Sequence, residues 1–130
     1  MRYAAGHAQP LAWFTLGALT LAAAVGGGAF GAHALAARLD PHALALWETA
    51  VRYLVIAGVG LLAAGLAGAL HPGRAWGVPG WMLLTGGLVF SGTVGAIALG
   101  APRWLGAVTP LGGVLLIAGF VALAVGWARA

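Results

Sequence analysis

The chain contains no cysteine and no lysine, and it has one serine and two carboxylates among 130 residues. Each shortage removes a class of function. Without cysteine there is no disulfide framework, thiolate nucleophile or Cys-ligated metal centre, and redox compartment leaves no trace in the sequence. The carboxylates, Asp40 and Glu48, are not joined to any histidine by a recognised metal-ligand spacing. His33 and Glu48 are the nearest to a ligand pair, while His42 is expected to face solvent. Ser91 sits inside an apolar run as Phe90-Ser91-Gly92 with no base nearby in sequence, where serine more often bonds its own helix or packs against another. The expectation is a protein that is not an enzyme, with no cofactor and no metal.

Charge is scarce as well, at 6% of residues, against 62% hydrophobic residues and a mean hydropathy of +1.02. Too little polar surface exists to coat a soluble globule, so the chain reads as a membrane protein. The net charge of +4 invites a nucleic-acid reading. However, the six basic residues are arginines scattered singly at Arg2, Arg38, Arg52, Arg74, Arg103 and Arg129, which makes no basic patch. Each lies near the end of an apolar run, where a guanidinium reaches headgroups while its stem stays in apolar surroundings. The lipid bilayer is the expected partner, and nucleic acid is not.

The apolar runs number four and fill a single domain over residues 1–130, with spans at about 11–35, 50–70, 79–99 and 105–127. The first has a competing reading, since Arg2, the apolar run and Ala32-His33-Ala34 imitate a secretory signal with its cleavage site. The run is long for a signal core. Gly26, Gly27, Gly28 and Gly31 crowd its second half, which suits close helix packing or, alternatively, a kink.

Asp40-Pro41 is a helix start, with an acid to cap free amides and proline at the first helical position. No proline follows until Pro72, so a helix from Pro41 to about His71 would be roughly 45 Å long against a hydrocarbon core of about 30 Å. Its first two or three turns must protrude, lie in the interface, or tilt. They are amphipathic, with Leu44, Trp47, Val51 and Leu54 on one face and His42, Ala45, Thr49 and Arg52 on another. Small residues recur every fourth position as Gly60-Ala64-Gly68, Gly87-Ser91-Gly95 and Ala118-Ala122-Gly126, the pattern that lets helices meet closely in lipid. The six tryptophans all fall near the proposed span ends. The fold expected is an all-α four-helix transmembrane bundle whose second helix has an amphipathic interfacial start. Both termini then share one side, and cytoplasmic termini are expected.

Four blocks carry a family resemblance: Gly28-Ala29-Phe30-Gly31-Ala32-His33-Ala34-Leu35, Trp47-Glu48-Thr49-Ala50-Val51-Arg52-Tyr53, Phe90-Ser91-Gly92, and Leu105-Gly106-Ala107-Val108-Thr109-Pro110-Leu111-Gly112-Gly113. In this order they resemble the YgdD/YwdK-like family, domain of unknown function family four-two-three, related to the animal transmembrane protein two-five-six. The resemblance spans essentially the whole chain and implies a small four-span protein of the bacterial inner membrane with no established activity. After Tyr53 this chain departs from the family pattern. It continues Leu54-Val55-Ile56-Ala57 where relatives carry polar and aromatic residues with a histidine, so a mid-span proton carrier or metal ligand on the second helix is not implied here.

The remaining polar residues gather at one end. His33, Glu48, Arg52, Arg103 and Thr109 are expected to approach one another there. One reading is a hydrogen-bonded lock in which Glu48 neutralises Arg52 or Arg103 and His33 joins them. Others are a proton or ion site with Glu48 as carrier and His33 as relay, or a headgroup site built from Arg52, Arg103 and His33. Two function classes follow. The protein is a non-catalytic packing or accessory component, as a homo-oligomer or in a larger membrane complex, or it is a minimal transporter or channel. Four short spans are too few to enclose a path alone, so transport requires an oligomer.

Overall fold

The computed structural model describes residues 8–130, with side chains from Leu11 onward; Arg2 lies outside the described residues. Helix α1 covers Ala8–His33, α2 Pro41–Leu70, α3 Gly77–Ala98 and α4 Thr109–Ala128, with short 3-10 segments at Leu35–Ala37 and Arg103–Ala107. All four helices are long and apolar enough to cross a membrane. They pack in chain order, α1 on α2, α2 on α3 and α3 on α4, with a narrow contact between α2 and α4. The inner pair is therefore α2 and α3, and α1 and α4 flank it. The chain reverses after each helix, which gives the bundle one end with a single connection, residues 71–76, and one with two, residues 34–40 and 99–108.

Local chemistry explains the boundaries. The Asp40 carboxylate accepts the Ala43 amide at 2.8 Å with Pro41 at the first helical position, so α2 starts where the sequence placed it. It ends at His71, whose backbone is forced out of the helical region by Pro72. Helix α3 ends in a Schellman turn: the Ala101 amide donates to the Ala96 carbonyl at 2.9 Å and the Gly100 amide to that of Ile97 at 3.0 Å. This closure requires the left-handed backbone of Gly100, at φ +104°. At 30 residues, α2 is about 45 Å long, longer than the roughly 30 Å hydrocarbon core.

Close backbone approach between helices holds the bundle together. At the α1–α2 crossing, a Cβ on Gly17 would lie 2.7 Å from the Leu62 amide nitrogen and 2.8 Å from the Gly58 carbonyl oxygen. At the α3–α4 crossing, a Cβ on Gly112 would lie 2.5 Å from the Phe90 amide nitrogen. Between α2 and α3, a Cβ on Gly87 would fall on that of Ala57. Nothing larger than hydrogen fits at these points, and the gain is dispersion contact along the backbone, because lipid removes the usual hydrophobic drive between helices. A core of Trp13, Ala57, Leu61, Ala64, Leu83 and Leu116 fills the space between.

The stripes Gly60-Ala64-Gly68 and Gly87-Ser91-Gly95 are buried between helices, as their spacing predicts. The α4 stripe needs correction. Its buried residues are Gly112, Leu116 and Gly119, while Ala118 and Ala122 are half-buried and Gly126 packs on Trp76. Gly112 decides this, since it gives α4 its tightest approach to the backbone of α3, with Gly119 beside Leu83 further along. Helix α1 runs unbroken through Gly26–Gly31, so packing replaces the kink: Gly27 and Gly28 face Val51, and Gly31 faces Trp47.

Candidate functional site at the two-loop end

The chemistry-bearing residues collect where the connections 34–40 and 99–108 meet the first turns of α2. The structural centre there is Trp47. Its indole Nε1 donates to the Gly27 carbonyl at 2.9 Å, and its ring lies against Gly31, where a Cβ would come within 2.6 Å of it. Phe30 meets the same ring edge-on at 6.3 Å between centroids. The Gly27 and Gly31 spacing is thus one helical turn cleared for one indole. A tryptophan satisfied by a backbone carbonyl is a stable arrangement at the membrane boundary, since one edge is polar and the rest is apolar.

Behind this contact lies a cavity of about 140 Å³ between α1, α2 and α3, lined by Gly27, Trp47, Ala50, Ser91 and Gly95 among others. The Ser91 hydroxyl is buried without a hydrogen-bond partner. Four threonines in the helices behave differently: the hydroxyls of Thr20, Thr49, Thr93 and Thr109 each lie within hydrogen-bonding distance of the carbonyl four residues earlier. Thr93 and Thr109 also share a 2.6 Å hydroxyl contact that ties α3 to α4.

The expected five-residue lock is divided in the structure. Thr109 is engaged by Thr93 and Leu105. Glu48 and Arg52 are both exposed on the outer face of α2, on one stripe with Val55, Val59 and Leu66. His33 is exposed at the end of α1. Arg103 lines a separate groove of about 440 Å³ together with Arg38, Asp40 and His42, which the lock reading did not include. The side-chain hydrogen bonds found among the described residues involve none of Glu48, His33, Arg52 and Arg103. The groove is the open polar feature of this end. Its walls of Leu46, Ile97 and Leu99 are apolar, and its lip carries guanidinium groups from both connections. Sequence spacing could not group Arg38 with Arg103, because only the fold of both connections brings them to one groove.

Among the described residues no group of three or more His, Asp or Glu side chains is placed to hold a metal ion. The arrangement can anchor helices, contact headgroups and bind anions at its lip.

Comparison with known proteins assigns relatives to this architecture. The model of a family described as "Protein of unknown function (DUF423)" matches residues 27–113, a segment that begins at the carbonyl gripped by Trp47. A UPF0382 membrane protein of Staphylococcus saprophyticus is 45% identical over 112 residues, covering 85% of this chain and 92% of the relative. Similar UPF0382 membrane proteins occur in Staphylococcus epidermidis, at 44% identity over 85% of this chain and 89% of the relative, and in Staphylococcus haemolyticus, at 43% over 83% and 88%. No solved structure matches. With four apolar helices and relatives aligned over most of their length, the chain is a bacterial multi-pass membrane protein that belongs to the DUF423 family.

Proposed function

We propose that this protein is a non-catalytic component of the bacterial membrane, acting as a small accessory subunit or homo-oligomer through helix contacts and its membrane-facing surface. The observation that carries the reading is how the molecule divides its residues. Its interior is given to close glycine contacts such as Gly17 on Gly58 and Gly86 on Gly112, while His33, Glu48, Arg52 and Arg103 are all exposed. Groups that perform chemistry in a membrane interior are held inside a bundle or a water-filled cavity; here the charged groups are offered outward, to headgroups or to another protein. In this reading His33 and Glu48 are contact residues and no catalytic step is assigned to the chain.

A second reading is supported by one particular feature. Glu48 and Arg52 share their stripe with Val55, Val59 and Leu66, so an oligomer that covered this face would enclose both charges. Glu48 would then serve as carrier and His33 as relay in proton or small-ion transport. Two measurements separate the readings: the stoichiometric partners retained after gentle extraction, and pH-driven flux in liposomes for wild type and Glu48→Gln. The accessory reading expects a defined partner or homo-oligomer and no flux above protein-free liposomes. Flux that disappears in Glu48→Gln would replace it with the transport reading.

A further inference from the structure

We propose that the groove between the two connections is a binding site for the phosphodiester of an anionic phospholipid headgroup. The inference concerns a ligand of this chain and stands whether the protein works alone or beside a partner. Arg38 comes from the α1–α2 connection and Arg103 from the α3–α4 connection, and both line the same 440 Å³ groove with His42. Both guanidinium groups are exposed, and neither takes part in the side-chain hydrogen bonds found among the described residues. Two planar guanidinium forks facing one space are suited to phosphate oxygens, which accept charge-assisted, paired hydrogen bonds.

Asp40 decides the charge of the ligand. It lines the groove too, with one oxygen already accepting the Ala43 amide. Two arginines less one aspartate leave a net charge of +1 from these three groups, which matches a singly charged phosphodiester better than a doubly charged phosphate monoester. The groove's position selects a lipid. Part of its lining is apolar, from Leu46, Ile97 and the exposed Leu99, and the neighbouring Trp104 is 67% exposed, as an indole lying among headgroups would be. A lipid bound here would place its phosphate between the arginines and its glycerol and first methylenes on that apolar part. Gly100 makes the site, because its left-handed turn brings Pro102 and Arg103 back across the end of α3.

The test uses the full chain in mild detergent, with native mass spectrometry to count bound phosphatidylglycerol or phosphatidylethanolamine, added separately at equal concentration. Wild type is expected to retain phosphatidylglycerol about tenfold better, a preference that two charge-assisted contacts supply. Arg38→Gln with Arg103→Gln should erase that preference, and Arg103→Lys, which keeps the charge without the fork, should reduce it in part. Arg52→Gln controls for general electrostatics, because Arg52 is exposed near the same end yet outside the groove; it should leave retention within about twofold. Glycerophosphoglycerol, the same headgroup without acyl chains, identifies the source. Failure to displace the lipid at millimolar concentration makes the ligand a membrane lipid, whereas displacement makes it a soluble phosphodiester at the same arginines. Equal retention of both lipids by wild type, unchanged preference in the folded double variant, or an equal loss in Arg52→Gln would each overturn the assignment.

Discussion

The two ends of the bundle carry similar residues and treat them in opposite ways. At the one-loop end several aromatic and cationic groups are engaged within the molecule, although Trp81, Trp127 and Arg129 remain exposed. Trp76 is buried on Gly126 and donates to the His71 carbonyl at 3.2 Å, and His71 meets Trp127 edge-on at 4.9 Å. Arg74 donates to the Arg129 carbonyl at 3.1 Å, and Trp13 is buried against Gly80 and packs edge-on with Trp81 at 5.2 Å. At the two-loop end Trp47 alone plays that part, Trp104 projects outward, and Arg38, Arg52 and Arg103 stay exposed. The difference teaches that a shared composition of tryptophan and arginine can build a clamp or a docking face. What separates them is whether a glycine or a carbonyl on the next helix is there to receive the side chain.

The largest expected effect sets one tryptophan at each end against the other. Trp76→Ala removes a side chain only 4% exposed and leaves a cavity, and should lower stability by about 3–5 kcal/mol. Trp104→Ala removes one that is 67% exposed and should change it by less than about 1 kcal/mol. Equal losses in detergent unfolding titrations would abolish the distinction. A cap comes next: Asp40→Ala should cost about 1 kcal/mol, read as lower thermal stability and early fraying of the first turn of α2 by hydrogen exchange.

Neighbouring hydroxyls of α3 sharpen the picture further. Thr93→Val removes the hydroxyl bond between α3 and α4, leaving Thr109 only its 3.3 Å contact with the Leu105 carbonyl, and should destabilise by about 1 kcal/mol. Ser91→Ala removes a buried hydroxyl with no partner and should be neutral or stabilising by up to about 1 kcal/mol. If both substitutions weaken the protein equally, the Ser91 hydroxyl has a partner, such as an ordered water in the adjoining cavity. The smallest effect belongs to Glu48→Gln. Exposed on the outer face of α2, Glu48 should contribute less than about 0.5 kcal/mol to the stability of the single chain. A larger loss in the native membrane than in detergent would show that a partner covers that face.

These contrasts also mark how far the sequence could be read. Four apolar runs, the Asp40-Pro41 cap and the small-residue stripes of α2 and α3 are local signals, and the structure follows them closely. Contacts between helices depend on crossing angle and rotation, which are set by the tightest backbone approach. On α4 that approach is at Gly112, and a rotation of about 100° per residue was enough to turn the Ala118-Ala122-Gly126 stripe from the centre of the interface. The same limit explains the site. Trp47 and Gly27 are 20 residues apart and Thr93 and Thr109 are 16 apart, so neither pair has a sequence signature. The grouping of His33 with Glu48 and Arg103 rested on their shared end alone. Which of them meet depends on the paths of two connections, and the turn at Gly100 sends Arg103 towards Arg38.

The central claim is that anionic headgroups are held by the arginines of the two-loop end and not by those of the one-loop end. The most direct measurement is the lipid that remains with the protein purified from native membranes, compared between Arg38→Gln with Arg103→Gln and Arg74→Gln with Arg129→Gln. Both pairs remove the same charge, from opposite ends. The account predicts that the first pair loses its co-purifying phosphatidylglycerol about tenfold, while the second keeps it within about twofold even if its stability falls. Equal loss from both would mean that the arginines act only through net charge, and the difference between the ends would have no functional content.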